Sequence, residues 1–289
     1  MEELAVVAGA TGYLGRHLVA TVSSRGYRVR AIVRSRARAE EPGPYGSPSL
    51  SGHVDEWLEG DVTDPAFVHG ACQGAQRVIS ALGITRQKAN PWDVDYLANL
   101  RLLEDAERES SGSFLYVNVM HASAGRSLIM RSKAAFAEVL TRSPLAHQVI
   151  NPSGYFSDLT GILRMARTGL TVLPPRPDVK VAPIHGADLA RFCVERLGDG
   201  SGSWDIGGPD VLTYREIAQF ASAALGKRCR TVTIPMRAVQ AAVWIATRVG
   251  GRPANLAQFF ADGLAQDAVG EQYGEHHIDT YFQDLATAR

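Results

Sequence analysis

Three glycines near the start of the sequence have the spacing of a loop that holds phosphate groups. Gly9, Gly12 and Gly15 form a G-x-x-G-x-x-G pattern directly after an apolar segment. The first permits a tight turn, the second lets backbone approach a pyrophosphate, and the third lets a helix pack closely on a sheet. That helix would offer free N–H groups and the positive end of its dipole. The pattern therefore predicts a dinucleotide-binding turn; the alternative is a loop that serves packing alone. The residues expected in this turn are Gly9, Thr11, Gly12, Tyr13, Leu14, Gly15 and Arg16.

Arginines follow the second predicted strand, where a site for NAD usually carries an acid that binds the ribose 2′-hydroxyl. Residues 34–38 contain Arg34, Arg36 and Arg38 and no acid. A guanidinium group binds a 2′-phosphate through two charge-assisted hydrogen bonds, and Arg16 is expected at the same corner. We therefore expect NADP(H) rather than NAD, with Arg34 and Arg36 at the phosphate. The alternative is a solvated basic loop.

Further cofactor contacts are expected after the third and fourth predicted strands. The carboxylate of Asp61 would accept a hydrogen bond from the adenine amino group, with Val62 beside the ring; alternatively, Asp61 caps the next helix. Ala81, Leu82 and Gly83 would let backbone press against the cofactor ribose, or they form an ordinary turn.

Strand and helix patterns alternate through the first half of the chain and must position these residues. Strands are predicted at 4–8, 28–33, 55–59, 77–81, 113–119 and 146–150, with helices between most of them. This alternation predicts an α/β fold, a Rossmann-type doubly wound parallel sheet that binds ligands at the carboxyl ends of its strands. We expect residues 1–160 to form the nucleotide-binding core. Residues 161–289 are expected to form a smaller, mostly helical substrate-binding cap with returning sheet segments, and residues 37–52 a surface loop.

Composition narrows the functional classes. The 289 residues are 45% hydrophobic with a formal net charge of zero, so no overall field favours nucleic acid or an anionic membrane. No run of about 18 apolar residues predicts a membrane span, and residues 238–249, flanked by Arg237 and Arg248, fit an amphipathic helix. The scattered cysteines form no metal or disulfide spacing, which suits a reducing cytoplasm. We expect no metal site and a monomer or homodimer.

Several segments carry a family resemblance together. After the glycine loop come G-D-V-T-D-P at 60–65, W-D-V-D-Y at 92–96, S-K-A-A-F-A-E at 132–138, N-P-S-G-Y-F at 151–156, G-A-D-L-A at 186–190 and I-G-G-P at 206–209. In this order they resemble the atypical short-chain dehydrogenase/reductase superfamily, specifically its NmrA-like, isoflavone-reductase-like and divinyl-chlorophyllide-reductase-like branch. The resemblance implies a doubly wound NAD(P)-binding domain with a small C-terminal substrate-binding part.

The resemblance also shows what this chain lacks. The usual member has Tyr-x-x-x-Lys and a serine on the preceding strand, and the tyrosine is the general acid. Lys133 matches the lysine, but Ile129 stands at the tyrosine, and the serine position falls near Asn118 or Val119. The resemblance implies that Lys133 binds the nicotinamide ribose and serves as a candidate proton donor, with Asn118 as a further candidate in the site. Alternatively, Lys133 is a surface residue of a helix and pairs with an aspartate or glutamate.

The N-P-S-G-Y-F segment lies beside the nicotinamide in relatives, which places Pro152 at the cofactor. The hydroxyl of Tyr155 would orient substrate or replace the missing acid; alternatively, its ring is a packing residue. Two functions follow. One is an NADPH-dependent reductase of a small hydrophobic substrate, such as an enone, a quinone or a polycyclic aromatic compound, because a conjugated acceptor needs only a hydrogen-bond donor for its developing negative charge. The other is an NmrA-like NADP(H)-binding redox sensor that regulates a partner without catalysis.

Overall fold

The computed structural model describes residues 2–84, 89–263 and 266–287. Its strands are β1 (Leu4–Ala8), β2 (Arg28–Val33), β3 (Glu56–Glu59), β4 (Arg77–Ser80), β5 (Ser113–Val117), β6 (Ala146–Pro152), β7 (Leu170–Leu173), β8 (Lys180–Val181), β9 (Gly202–Gly207), β10 (Leu212–Thr213), β11 (Arg230–Thr233) and β12 (Glu271–Gln272). Eight of them form one sheet in the order β12-β9-β6-β5-β4-β1-β2-β3, and every pair in it is parallel. The Rossmann-type doubly wound sheet predicted from the sequence is confirmed.

The helices are α1 (Tyr13–Ser24), α2 (Arg36–Glu40), α3 (Pro65–Val68), α4 (Asn99–Arg108), α5 (Leu128–Leu140), α6 (Phe156–Arg167), α7 (Gly186–Glu195), α8 (Tyr214–Ala224), α9 (Met236–Val249), α10 (Gly251–Gly263) and α11 (Ile278–Thr287). A π-helical segment, Trp92–Ala98, leads directly into α4. Helices α1 and α7 pack on one face of the sheet, and α3, α4 and α5 cover the other.

Burial on both faces explains the central strands. All five residues of β1 are buried, as expected for a parallel strand covered by helices on both sides. The crossovers from β1 lead to β2 and β3 on one side, and the chain then returns to β4 on the other side. The carboxyl ends of β1 and β4 therefore flank the switch point, where sheets of this kind bind ligands.

Residues 37–52 are more ordered than expected. The sequence predicts a surface loop there, but Arg36–Glu40 is helical and Pro44–Gly46 forms a 3-10 turn. Helix α8 begins with a capping box: Thr213 accepts a hydrogen bond from the backbone N–H of Glu216, whose carboxylate accepts from Thr213 in return.

The second half of the chain returns to the sheet before it forms the remaining helices. Strand β9 pairs with β6, and β12 extends the same edge. A third core, formed largely by α6, α8 and α11, lies beside the sheet. Helix α9 packs on α10, and α10 contacts α5. Within the described residues, no helix combines the length and apolar content needed to cross a bilayer.

Candidate functional site

The glycine loop lies at the carboxyl end of β1 and has the geometry that its spacing predicts. Gly9 has φ +77°, and a Cβ there would lie 2.7 Å from the carbonyl carbon of Ala81. A Cβ on Gly15 would overlap the carbonyl oxygen of Gly9. Gly12 donates its N–H to the Gly9 carbonyl at 3.0 Å and precedes α1. Side chains are excluded at Gly9 and Gly15 by backbone contact, so the loop keeps one tight shape.

The start of α1 suits a pyrophosphate. In the described chain, no side chain caps this helix, a feature that it shares with α2, α6 and α9. The first-turn N–H groups of α1 belong to Tyr13, Leu14 and Gly15. Uncapped N–H groups at a glycine-rich helix start, together with the helix dipole, form the donor set that phosphate groups bind. The residues present therefore fit a dinucleotide.

Arg16 does not occupy the role expected for it. Its side chain is buried, with 4% exposed, and burial lowers the pKa of its guanidinium. The guanidinium donates hydrogen bonds of 2.7–3.3 Å to five backbone carbonyls, and so it holds the segment 38–48 against α1 instead of presenting a free fork to a phosphate. The carbonyls belong to Thr11, Arg38, Ala39, Glu41 and Pro48.

The two arginines expected at a 2′-phosphate differ in their surroundings. Arg36 pairs with Glu40, with 2.9 Å between Nε and Oε1, and its guanidinium lies 5.3 Å from the ring centre of Trp57. Arg34 is exposed immediately after β2. Its charge also contributes to the lowered pKa of Asp61, which has its main cause in the hydrogen bonds from Thr63. Arg34 is thus the side chain better placed to receive an incoming anion.

The alternative reading of Asp61 as a helix cap is wrong. Asp64 caps α3, because its Oδ1 accepts from the N–H of Ala66 at 2.9 Å. Asp61 instead accepts, through its Oδ1, from both the N–H and the hydroxyl of Thr63, in an exposed turn after β3. Its contact with an adenine, and that of the neighbouring Val62, stay predictions.

Lys133 is turned into the protein. Its Nζ lies 3.2 Å from Oδ1 of Asp95, 3.3 Å from the carbonyl oxygens of Leu82 and Val117, and 3.4 Å from the Tyr116 hydroxyl. An ammonium group has three N–H donors, and four acceptors surround this one. In this arrangement Lys133 therefore holds the ends of β4 and β5 together, and the ribose contact implied by resemblance stays a prediction.

Asp95 is the partner that the sequence did not single out for Lys133. Its carboxylate is fully buried and also accepts from the N–H of Ile84. Burial raises its pKa, and the neighbouring Lys133 ammonium opposes that rise. A Cβ on Gly83 would lie 3.1 Å from the Lys133 Nζ, so the turn after β4 closes directly over the ion pair.

Residues without a hydroxyl group stand at the positions of the usual serine and tyrosine. Ile129 is 3% exposed and packs at the start of α5, where it offers no proton. Asn118 follows β5 and donates from Nδ2 to Oδ1 of Asn151 at 2.9 Å. Its own Oδ1 is buried without a hydrogen-bond partner among the described residues. A buried amide with one orphaned oxygen is the polar group beside these strand ends that a ligand would satisfy.

Aromatic and imidazole rings pack between the glycine loop and the end of β6. The ring of Tyr13 lies 5.2–6.5 Å from four others, those of His17, Tyr45, Tyr155 and His185. The hydroxyl of Tyr13 accepts from the N–H of Gly186 at 3.0 Å, and burial raises its pKa to about 12. Burial also raises the pKa of Tyr155, which keeps its hydroxyl neutral. Tyr155 packs on the core, as its alternative reading expected, and its contact with a substrate stays a prediction.

Two clefts open near this site. One, of about 500 Å³, lies between the turn after β3 and the π-helical segment, with Thr63 and Arg101 in its wall. The other, of about 330 Å³, lies between α5 and α10 and is lined by His121, Met130 and Asp262 among others. The described residues contain no group of three or more His, Cys, Asp or Glu side chains that would ligate a metal ion.

Sequence reasoning missed three features because the partners are far apart in the chain. The first is the Asp95–Lys133 pair. The second is the contact of His17 with His185, with ring centres 5.4 Å apart. The third is Asp262 on α10, whose Oδ2 accepts from the N–H groups of residues 126 and 127 at 2.8 Å each and so joins α10 to the start of α5. A buried acid in the W-D-V-D-Y segment was the one available signal, for Asp95.

Together, the parallel sheet and the glycine loop at its switch point define a dinucleotide-binding α/β protein. The chain belongs to the NAD(P)H-binding family, whose model matches residues 9–199. The relatives found agree with the atypical short-chain dehydrogenase/reductase branch, so the resemblance is confirmed.

Two curated relatives and one solved structure illustrate the match. The chain is 27% identical to divinyl chlorophyllide a 8-vinyl-reductase of Zea mays over 84% of its own length and 65% of that protein's. It is 28% identical to the NADH dehydrogenase 1 alpha subcomplex subunit 9 of Arabidopsis thaliana, over 80% and 60%. It thus spans somewhat less than two thirds of these relatives. The fold matches the NADPH-dependent quinone oxidoreductase QOR2 of Escherichia coli with a TM-score of 0.74 and 17% identity, over 98% of this chain and 99% of that one.

Proposed function

We propose that this protein is an NADPH-dependent reductase of a small hydrophobic acceptor, such as an enone, a quinone or a polycyclic aromatic compound. The observation that carries the proposal is the uncapped start of α1 behind the glycine loop, with arginine rather than acid after β2. A curated relative named as a vinyl reductase supports the reaction class, and a solved structure named as a quinone oxidoreductase shares the fold.

The choice of NADPH rests on Arg34. It is exposed at the end of β2, at the position where an acid would select NAD. Arg36 is engaged with Glu40, and the guanidinium of Arg16 is occupied by carbonyls. We therefore assign the 2′-phosphate chiefly to Arg34, with Arg36 as the second cation.

When bound, the cofactor supplies a hydride at the carboxyl ends of the central strands. Around it, the chain supplies orientation and hydrogen bonds. Lys133 fixes the carbonyls of Leu82 and Val117, which flank the expected position of the nicotinamide ribose. Asn118 and Tyr155 are the groups that we assign to orient the acceptor. Because Ile129 replaces the usual acid, an acceptor that spreads its developing charge over a conjugated system is favoured over a simple ketone.

The test combines binding with turnover. Calorimetry on the purified protein should show NADPH binding, and anaerobic NADPH oxidation should be measured with a panel of quinones and enones. Arg34→Glu should weaken the binding of NADPH about tenfold or more while the affinity for NADH changes little. The reason is that charge-assisted hydrogen bonds to a phosphate are worth about 1.5–3 kcal/mol.

The matched control is Arg142→Glu, which reverses the charge of an exposed arginine just beyond the C-terminal end of α5 and should leave both affinities unchanged. An equal loss of NADPH and NADH affinity in Arg34→Glu would refute the assignment of the phosphate. No hydride transfer to any acceptor at saturating NADPH would refute the reductase.

A second function is supported by the enclosed lysine. The Nζ of Lys133 is surrounded by acceptors of the protein itself, and Ile129 offers no proton. This arrangement also fits a redox sensor that binds NADP(H) without catalysis. The sensor would bind without turnover, with similar affinity for the two redox forms or a preference for NADP⁺, and would retain a partner protein in pull-downs.

A further inference from the structure

The segment from residue 217 to residue 261 contains no acidic residue. Over the same 45 positions the sequence has six basic ones, although the whole chain has a formal net charge of zero. They are Lys227, Arg228, Arg230, Arg237, Arg248 and Arg252. This segment includes α9 and most of α10, so one part of a neutral protein carries a concentrated positive charge.

Helix α9 carries two apolar stripes. One of them faces the neighbouring helix α10, and the other is exposed. Its inner stripe is half-buried and faces α10; it comprises Val239, Val243 and Ala246. Its outer stripe is exposed and repeats at positions i, i+3, i+4 and i+7; it comprises Ala238, Ala241, Ala242 and Ile245. An apolar stripe that is left exposed on a helix indicates that the helix binds another surface.

Large apolar side chains are exposed on both α9 and α10. Trp244 is 57% exposed, Ile245 56% and, on α10, Phe260 58%. Arg248 lies over the Trp244 ring at 3.3 Å, and Arg237 is on the same side of the helix, about two turns before Trp244. An exposed tryptophan bordered by arginines and an aliphatic stripe is the arrangement of helices that lie in the headgroup region of a bilayer.

We propose that the α9–α10 hairpin binds the surface of a bilayer containing anionic phospholipids. The basic residues would attract the headgroups, and Trp244 and Ile245 would enter the headgroup–acyl boundary without spanning the bilayer. Charge complementarity selects this occupant over a second copy of the chain, because a symmetric dimer through this face would bring two acid-free segments together. The proposal is independent of the reductase.

Vesicle sedimentation tests the proposal with the full chain. Vesicles of phosphatidylcholine with about one third phosphatidylglycerol should carry the protein down at 50 mM salt, with roughly tenfold weaker binding to pure phosphatidylcholine and at 500 mM salt. The double variant Trp244→Ser/Ile245→Ser should reduce binding roughly tenfold or more. The control Val211→Ser removes an exposed apolar residue outside the hairpin and should have no effect.

The charge contribution has its own pair of variants. Arg237→Gln/Arg248→Gln should weaken binding to anionic vesicles by about tenfold, whereas Arg142→Gln, at an exposed arginine on α5's far end, should not. Circular dichroism and thermal melts verify that each variant is folded. Equal binding to neutral and anionic vesicles would overturn the proposal. So would light scattering that shows a dimer which Trp244→Ser/Ile245→Ser converts to a monomer.

Discussion

Arg16 shows how a residue with the right chemistry for one role takes another. The sequence places a cation beside the phosphate loop, where an anion would attract it. The segment after α2 instead brings backbone carbonyls around the guanidinium, and five of them accept hydrogen bonds. A planar guanidinium with five N–H donors satisfies several carbonyls at once, which a lysine cannot do. Arg16 thereby orders the loop that follows the exposed Arg34.

Replacing Arg16 by methionine should destabilise the protein by roughly 3 kcal/mol, because buried carbonyls lose a charged donor. Urea unfolding measures this change, and limited proteolysis should show faster cleavage within residues 36–50. The control Arg38→Met alters an exposed side chain of the same loop. Unchanged stability and cleavage in Arg16→Met would show that the carbonyls do not depend on it.

At the level of single residues, the roles set by local spacing could be predicted from the sequence, whereas contacts between residues far apart in the chain could not. The roles of Gly9 and Gly15 follow from a pattern of seven residues, and the structure confirms the tight turn and the close packing. The partner of Lys133 lies 38 positions earlier, on a segment whose position depends on the whole sheet. Asp61 and Asp64 are both plausible caps in sequence, and only the actual start of α3 distinguishes them.

At the level of elements, the strands were predictable because burial on both faces demands nearly continuous apolar runs. Each of the six predicted strands exists, with ends that agree with the prediction to within two residues. Helix α2 was not predicted, because its surroundings are rich in Pro, Gly and Ser and its order comes from the Arg16 side chain, a tertiary contact. The short strands β8, β10 and β12 have only two residues each, too few for a periodic pattern.

The contact between α10 and α5 leads to a prediction for one element. Asp262 accepts hydrogen bonds from the N–H groups of residues 126 and 127, where the α5 dipole also favours a negative charge. Asp262→Ala should release α10, so amide hydrogens in residues 236–263 should exchange about tenfold faster while the strands of the sheet exchange as before.

Asp199→Ala, in an exposed turn after α7, is the control for loss of a carboxylate. Unchanged exchange in α9 and α10 would mean that apolar packing alone holds the hairpin.

At the scale of the whole molecule, three histidines connect segments that are far apart in sequence. The ring of His17 on α1 lies 5.4 Å from that of His185, and His276 stacks on His185 at 4.1 Å. Burial, followed by the neighbouring histidines, lowers the pKa of His17 to about 4. Burial likewise lowers the pKa of His185 to about 4, and its Nδ1 must be unprotonated to accept the N–H of Ala187.

These histidines predict a loss of stability in acid. The folded pKa of His17 lies below the unfolded value of about 6.5, so the unfolded chain binds more protons between pH 6.5 and 4. Stability is therefore present above pH 6.5 and declines as the pH falls toward 4. His17 alone should contribute about 2 kcal/mol of that decline by pH 5.

Urea unfolding at pH 7.5 and pH 5 measures the decline, which should be smaller in His17→Phe. His69→Phe, at an exposed histidine after α3, is the control. An equal decline in wild type and His17→Phe would remove His17 as its source.

The order in which the sheet is completed has a consequence for synthesis. Strand β6 ends at residue 152, but its outer neighbour β9 begins at residue 202, and β12 follows only at 271. While the intervening chain is still emerging from the ribosome, β6 is an open edge of hydrogen-bonding groups. During that interval the edge of β6 can pair with another nascent chain translated from the same messenger RNA. A chaperone is therefore most important during the second half of translation.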